Sequence, residues 1–510
     1  MLEGLTLITP EVMLYVTLGV VVTTIVVIIP GLGGTFALAI LLPFTLRLDP
    51  IVGIAFIMAM GAVNGTGNTI TSILYGIPGS ASGVASTFDG FPMTQRGEGI
   101  RAVSAGLTSS TLGGIIGAIV LGLSLPIVRP IVLAFRSPEF FALILVAIVF
   151  MAFIGGGDPI RGLISGGLGL MLSFVGLEIS TATQRYTLGE LYLWDGLPLV
   201  PMLLGLYAIS EMLSLMARGG AIARRSNEQR PGRQLLQGIR DAFRHWRTVL
   251  QSSGVGLWVG LAPGLGDAAA QFIAYSQAAR SSKNRDQFGK GAVEGVVAAD
   301  ACTNSKDGGA LIPTLAFGIP GSTSMAIVIA AFVSFGIQPG PEMLTTNVGL
   351  VWMIVWILVI ANLMAAALCM GITPLMAKVT SLRASLIVGP ILIFSVYGAY
   401  SSTFNFLDIV VLVVFGVLGY LLKEFGYSRP IFLVGFVLGQ ILEQHYLLST
   451  RLYGLAFLQR PIVLLLMAVL VWVMVGPYVK NLVRGLRRGS EPMAVDGASA
   501  PTSTSDSSSS

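Results

Sequence analysis

The chain has 510 residues, of which 54% are hydrophobic and only 11% charged, far below the roughly 25% charge of a soluble protein. That make-up puts it in a membrane. Its net charge of +5 collects in extramembrane segments, where it marks the cytoplasmic side and excludes nucleic acid as a partner.

In chain order, the first predicted span covers residues 13–29, with neither a basic stretch before it nor a small-residue cleavage site after it, and is expected to be retained. A Gly-rich apolar piece (30–43), a span from about residue 51 and a polar, Gly-rich stretch (61–89) follow. Further apolar segments lie near 115–128, 140–154, 163–177 and 197–215, closing a first membrane repeat over 1–217. Residues 218–247 are an Arg-rich linker in which Leu235, Leu236, Ile239, Phe243 and Trp246 are spaced along one helical face, as suits a helix on the cytoplasmic surface. A second repeat with its following spans occupies 248–488, including apolar runs at 348–376 and 461–479 near the ~20 residues that cross a hydrocarbon core. The Ser-rich tail, 489–510, is expected to be disordered with the C-terminus on the cytoplasmic side.

Two strings recur. Pro30-Gly31-Leu32-Gly33 then Ile77-Pro78-Gly79-Ser80 in the first half return as Pro263-Gly264-Leu265-Gly266 then Ile319-Pro320-Gly321-Ser322 in the second. Helix breakers at matching places in two apolar halves predict internal repeats with a binding site between them. The basic residues give their relative orientation. Arg96 and Arg101 follow Ile-Pro-Gly in the first half, whereas Arg280, Lys283, Arg285 and Lys290 follow Pro-Gly-Leu-Gly in the second. Equivalent loops then lie on opposite sides of the membrane. The expected fold is an all-α polytopic membrane protein of two inverted-topology repeats, with broken helices and re-entrant hairpins.

Broken helices free backbone groups at membrane depth, and the N-terminal end of a half-helix suits a carboxylate. The candidate substrate-binding residues are Gly31, Gly33, Pro78, Gly79, Ser80 and Ser82 in the first half, and Gly264, Gly266, Pro320, Gly321, Ser322 and Thr323 in the second. The competing reading is that these are packing kinks of small residues. Ahead of each Ile-Pro-Gly runs a polar stretch offering amide and hydroxyl oxygens, with Asn64, Thr66, Asn68, Asp300 and Asn304 as candidate ion-binding residues; the alternative puts these stretches in extramembrane loops. Lys306 can pair with Asp307 or with a substrate carboxylate. Neutral oxygens point to Na⁺ as coupling ion, whereas proton coupling would run through Asp300 or Asp307.

No G-x-x-x-x-G-K-[ST], H-E-x-x-H, C-x-x-C or G-x-S-x-G string occurs, and His245 and His445 stand apart. Cys302 and Cys369 have no metal or disulfide spacing. No enzyme and no cofactor beyond a coupling ion is expected, and an ion-driven carrier leads over an anion channel or a polytopic scaffold or enzyme.

The strings PGLGGTFALAILLPFT from Pro30, IPGSASGVASTFDGFPMTQRGEG from Ile77, FGKGAVEGV from Phe288 and GGALIPTLAFGIPGS from Gly308 resemble the large membrane subunit of the tripartite tricarboxylate transporter family, the TctA family. The resemblance implies a multi-pass carrier of the bacterial inner membrane. It also implies a small membrane subunit and a periplasmic solute-binding protein as partners, with organic carboxylates such as citrate as substrates.

Overall fold

Backbone groups in hydrocarbon must be satisfied within the segment, which leaves an apolar chain little choice but helix. The computed structural model describes residues 2–29, 32–78, 80–154, 158–178, 181–218, 231–262, 266–376 and 384–488. It is all-α apart from a two-residue strand pair, Gly176–Leu177 with Gln184–Arg185. Among the described residues, five segments are long and apolar enough to cross a membrane: Pro10–Val27, Pro50–Tyr75, Gly99–Ala134, Val348–Met376 and Arg429–Gln459. The chain is an all-α polytopic membrane protein. Pro30, Gly31, Gly79, Pro263, Gly264, Leu265, residues 219–230 of the linker and the tail 489–510 lie outside the described residues.

The same element order occurs twice. Pro10–Val27, Gly34–Thr45, Pro50–Tyr75, Ser86–Gln95 and Gly99–Ala134 are matched by Trp246–Leu261, Gly266–Ser281, Val293–Phe317, Thr323–Ser334 and Val348–Met376. Where equivalent helices touch, they run antiparallel. Thr66 meets Asn304 while Thr69 meets Asp300, so numbers rise along Pro50–Tyr75 as they fall along Val293–Phe317. Likewise Gly114 lies against Asn362 and Gly122 against Trp352.

Glycines let these helices approach to backbone contact, since apolar side chains gain little from one another in lipid. A methyl at Gly113 would overlap the Ala301 carbonyl, and one at Gly65 would overlap Asn304 Oδ1. The polar stretch from Asn64 to Thr69 is therefore buried mid-helix, which removes the extramembrane-loop alternative.

The linker helix Pro231–Arg244 docks on the rest of the protein through small and polar residues. Gly238 packs on Arg101 and Ser104, and Asp241 takes Arg101 Nε at 2.6 Å. Leu236, Phe243 and Trp246 remain exposed, the disposition of a helix whose apolar side meets lipid. The second basic loop joins this face, where Arg96 donates to the Lys290 carbonyl. Arg47 sits elsewhere, over the Phe404 ring and bonded to the Ser401 carbonyl.

Close glycine crossings predict an asymmetric response to substitution. Gly113→Leu is expected to lower stability by about 1–3 kcal/mol through overpacking. Gly167→Ala, with nothing within 4 Å of the added carbon, is expected to raise it by about 0.5–1 kcal/mol. Thermal unfolding of the detergent-purified protein checks both.

Candidate functional site

Each long central helix ends on a left-handed glycine, Gly76 (φ 66°, ψ 18°) and Gly318 (φ 69°, ψ 21°). That backbone favours a residue without Cβ, and the Ile-Pro that follows cannot continue the helix. The chain reverses through Ser80 and Ser322, both extended (φ −151° and −154°), whose hydroxyls accept from Ser82 N at 3.3 Å and Met325 N at 3.4 Å. Here the halves diverge. After Ser322 comes the twelve-residue helix Thr323–Ser334, but after Ser80 only a single tight turn, Ala81–Gly83, precedes Ser86–Gln95. Gln271 explains the delay. Its Nε2 donates to the Ser82 carbonyl and to Thr303 Oγ1 (2.7 Å) while its Oε1 accepts from Ala85 N (3.2 Å), so a side chain from the other half takes up backbone groups that a helix start would use.

Two asparagines one turn apart on Pro50–Tyr75 gather the turns. Asn64 Oδ1 accepts from Gly34 N (3.0 Å) at the start of Gly34–Thr45, and its Nδ2 donates to Ser324 Oγ (3.1 Å) in the first turn of Thr323–Ser334. Asn68 Nδ2 donates to Ser80 Oγ at 2.6 Å, Ser82 Oγ at 3.0 Å and the Asn64 carbonyl at 2.8 Å. With Asn64 Oδ1 at 3.5 Å, four acceptors crowd a group with two hydrogens. The first half's serine turn and the second half's helix start converge on one helical turn of amides.

The expected ion residues divide into three places. Asn64 and Asn68 belong to this seam. Thr66 joins Asn304 (2.7 Å) and Asn362 in a separate buried knot, in which Asn362 Nδ2 donates to the Leu358 carbonyl. Asp300 Oδ1 accepts from Thr69 Oγ1 (2.9 Å) and Ser86 Oγ (3.0 Å). Asn68 Oδ1, Ser72 Oγ, Asn304 Oδ1 and Asp300 Oδ2 are buried oxygens without a hydrogen-bond partner, a concentration on two crossing helices that native interiors seldom tolerate. Lys306 pairs with Asp307 at 3.0 Å. It stands twelve residues before Gly318 as Asn64 stands twelve before Gly76, so one repeat carries an ammonium where the other carries an amide.

Of the expected substrate residues, Gly31, Gly79 and Gly264 lie outside the described residues. Gly33 caps Gly34–Thr45 and Gly266 opens Gly266–Ser281. Pro78 and Thr323 are half-buried, and Pro320 is buried. Gly321 N donates to Thr314 Oγ1 at 3.4 Å, inside the protein. Sequence reasoning missed Gln271, Ser86 and Asn362, polar residues whose partners are distant in sequence. Asp89 is buried, accepting from Gly291 N and Ala292 N (both 2.8 Å) and Tyr275 Oη (2.8 Å). This carboxylate fastens the helix after the first serine turn to the loop before Val293–Phe317.

Residues 13–434 match the profile of the tripartite tricarboxylate transporter TctA family. The chain belongs to the TctA family. An uncharacterized 52.8 kDa protein in the TAR-I ttuC' 3'region of Agrobacterium vitis is 29% identical over 479 residues, covering 91% of this chain and 92% of that relative. An uncharacterized protein in the TAR-II ttuC' 3'region of the same organism is 36% identical over 190 residues, which are 37% of this chain and 78% of that protein. No solved structure matches. Membership of the TctA family makes this chain a membrane subunit of a transporter, and the seam between its halves is its candidate site.

Because Gln271 ties Ser82, Ala85 and Thr303 together, Gln271→Ala leaves buried groups without partners. A loss of about 3 kcal/mol is expected, measured as a lowered unfolding temperature with α-helix content unchanged.

Proposed function

We propose that this TctA-family chain is the carrier subunit of a cation-driven uptake system for organic di- and tricarboxylates, working in a bacterial inner membrane with a small membrane subunit and a periplasmic solute-binding protein. One observation carries the reading: Asn64 and Asn68 draw together a serine turn of one half and a helix start of the other. Hydroxyl and amide donors with a helix N-terminus form a site for a carboxylate. Lys306, buried at the position equivalent to Asn64, supplies a positive charge on the second central helix.

The antiparallel crossing of equivalent helices supports an inverted-topology arrangement. The basic loops at Arg96–Arg101 and Arg280–Lys290, with the linker helix, form the cytoplasmic face. The Arg47 side is periplasmic. There a cavity of about 710 Å³, lined by Tyr192, Asp195, Ser334, Thr403 and Asn405 among others, offers a place for substrate to arrive. Rocking of the two interlocked halves about the shared asparagine turn would expose the seam to one side and then the other. The buried oxygens without partners on the two central helices supply ligands for the coupling cation, taken as Na⁺.

Uptake of a labelled carboxylate panel into vesicles carrying the chain with its partner proteins tests this. Uptake should require an inward Na⁺ gradient and saturate with substrate, and Asn68→Ala should reduce it at least tenfold without lowering the amount of protein in the membrane. Fast, non-saturating flux independent of any ion gradient would mark a channel instead.

A further inference from the structure

We propose that Asp300, Thr69 and Ser86 form the seat of a driving Na⁺ ion, an inference that rests on the carrier reading above and gives its cation a place. Asp300 is 2% exposed. Its Oδ1 accepts from the Thr69 and Ser86 hydroxyls, while its Oδ2 is buried with no hydrogen-bond partner. Gly106 forms the wall over Oδ2, where a methyl would overlap the oxygen. Among the described residues no Lys, Arg or His forms an ion pair with this carboxylate, and Lys306 is engaged with Asp307 on the same helix. Asp89, one turn beyond Ser86, is saturated by Tyr275, Gly291 and Ala292.

A bare carboxylate at this depth costs several kcal/mol, more than two hydroxyl donors return. Either a proton on the carboxyl or a cation from solution can neutralise it, and the two hydroxyls donating to Oδ1 favour the ionised form that takes a cation. One negative charge calls for one positive charge, because among the described residues no second carboxylate bonds to the Thr69 and Ser86 hydroxyls to balance the excess of a divalent ion. Among the described residues no three His, Cys, Asp or Glu side chains group as a metal site. Carboxylate and hydroxyl oxygens are hard donors suited to a hard cation, and the hydroxyls can rotate to present lone pairs when the ion enters.

The seat also explains how cation and substrate communicate. Thr69 adjoins Asn68, which holds Ser80 and Ser82. Ser86 opens the helix that follows that serine turn. Asp300 comes from the other half, one turn from Thr303, which Gln271 holds. A Na⁺ bound by all three draws the first half's turn onto the second half's helix, so substrate and Na⁺ raise each other's affinity by the same factor.

Binding of ²²Na⁺ to the purified full chain, by scintillation proximity at constant ionic strength in choline, tests the seat. Saturable binding is expected in wild type, at least tenfold weaker binding in Ser86→Ala, none in Asp300→Asn, and wild-type binding in Ser305→Ala, a buried hydroxyl elsewhere on the same helix. Na⁺ should raise the unfolding temperature of wild type but not of Asp300→Asn. If Asp300→Asn does not fold, Ser86→Ala and Thr69→Val decide. Wild-type binding in Asp300→Asn or Ser86→Ala, or no Na⁺ binding by wild type, overturns the seat. Carboxylate uptake on the same preparations separates the two ideas: Na⁺-driven uptake with binding intact in Asp300→Asn leaves the carrier reading and removes this seat, while Na⁺ binding lost in Asp300→Asn without any wild-type uptake does the reverse.

Discussion

A chain that turns back on itself inside an apolar slab must find a partner for every backbone group the turn frees. That requirement organises this molecule. Ile77 N and Ile319 N return to carbonyls of the helices they leave, Thr71 and Pro313. Thr94 Oγ1 donates to the Ile73 carbonyl at 2.8 Å. In the first serine turn the groups left over are met by Gln271 from the opposite half, while Asn64 reaches the second half's turn helix only through the Ser324 hydroxyl. The second half closes its own turn through Pro313, Thr314 and Ser322, whereas the first half's turn depends on Gln271 of the other half.

The exchange makes the candidate seam and the contact between the two halves the same structure. Asn64 and Asn68 are helix residues that act as fasteners, and any ligand taken there replaces or adds to bonds that already join the halves. Asp300 lies one helical layer away on the same crossing, which is why a cation at that carboxylate bears on the serine turn. The glycines at Gly65, Gly113 and Gly114 bring the helices near enough for short polar side chains to reach across.

Much of this was legible in the sequence. The doubled Pro-Gly strings pointed to two matching sets of helices, and Ser80, Ser82 and Ser322 stood out because each follows a breaker. Asn64, Asn68 and Asn304 were visible as polar residues in an apolar setting, yet their grouping was not. Gly65 and Gly67 depress helix propensity and make a mid-helix stretch resemble a loop, and only the close approach of Asn304 to Gly65 and of Val27 to Gly67 explains them. Asn362 is a lone amide on an apolar helix and Gln271 one of several polar residues on its helix, and their partners in other helices lie 32 to 189 positions away. The linker's periodicity pointed to a surface helix, and its apolar stripe does face outward, while Gly238 and Asp241, which the periodicity did not single out, make the contact with the rest of the protein.

The claim on which the account rests is that equivalent loops of the two halves lie on opposite faces of the membrane. Single cysteines at exposed Arg47 and Lys283, after Gly34–Thr45 and Gly266–Ser281, test it most directly against a membrane-impermeant maleimide on intact cells, with Cys302 and Cys369 buried. The account predicts that Arg47→Cys is labelled from outside and Lys283→Cys only after the membrane is opened. Labelling of both from the same side would contradict it.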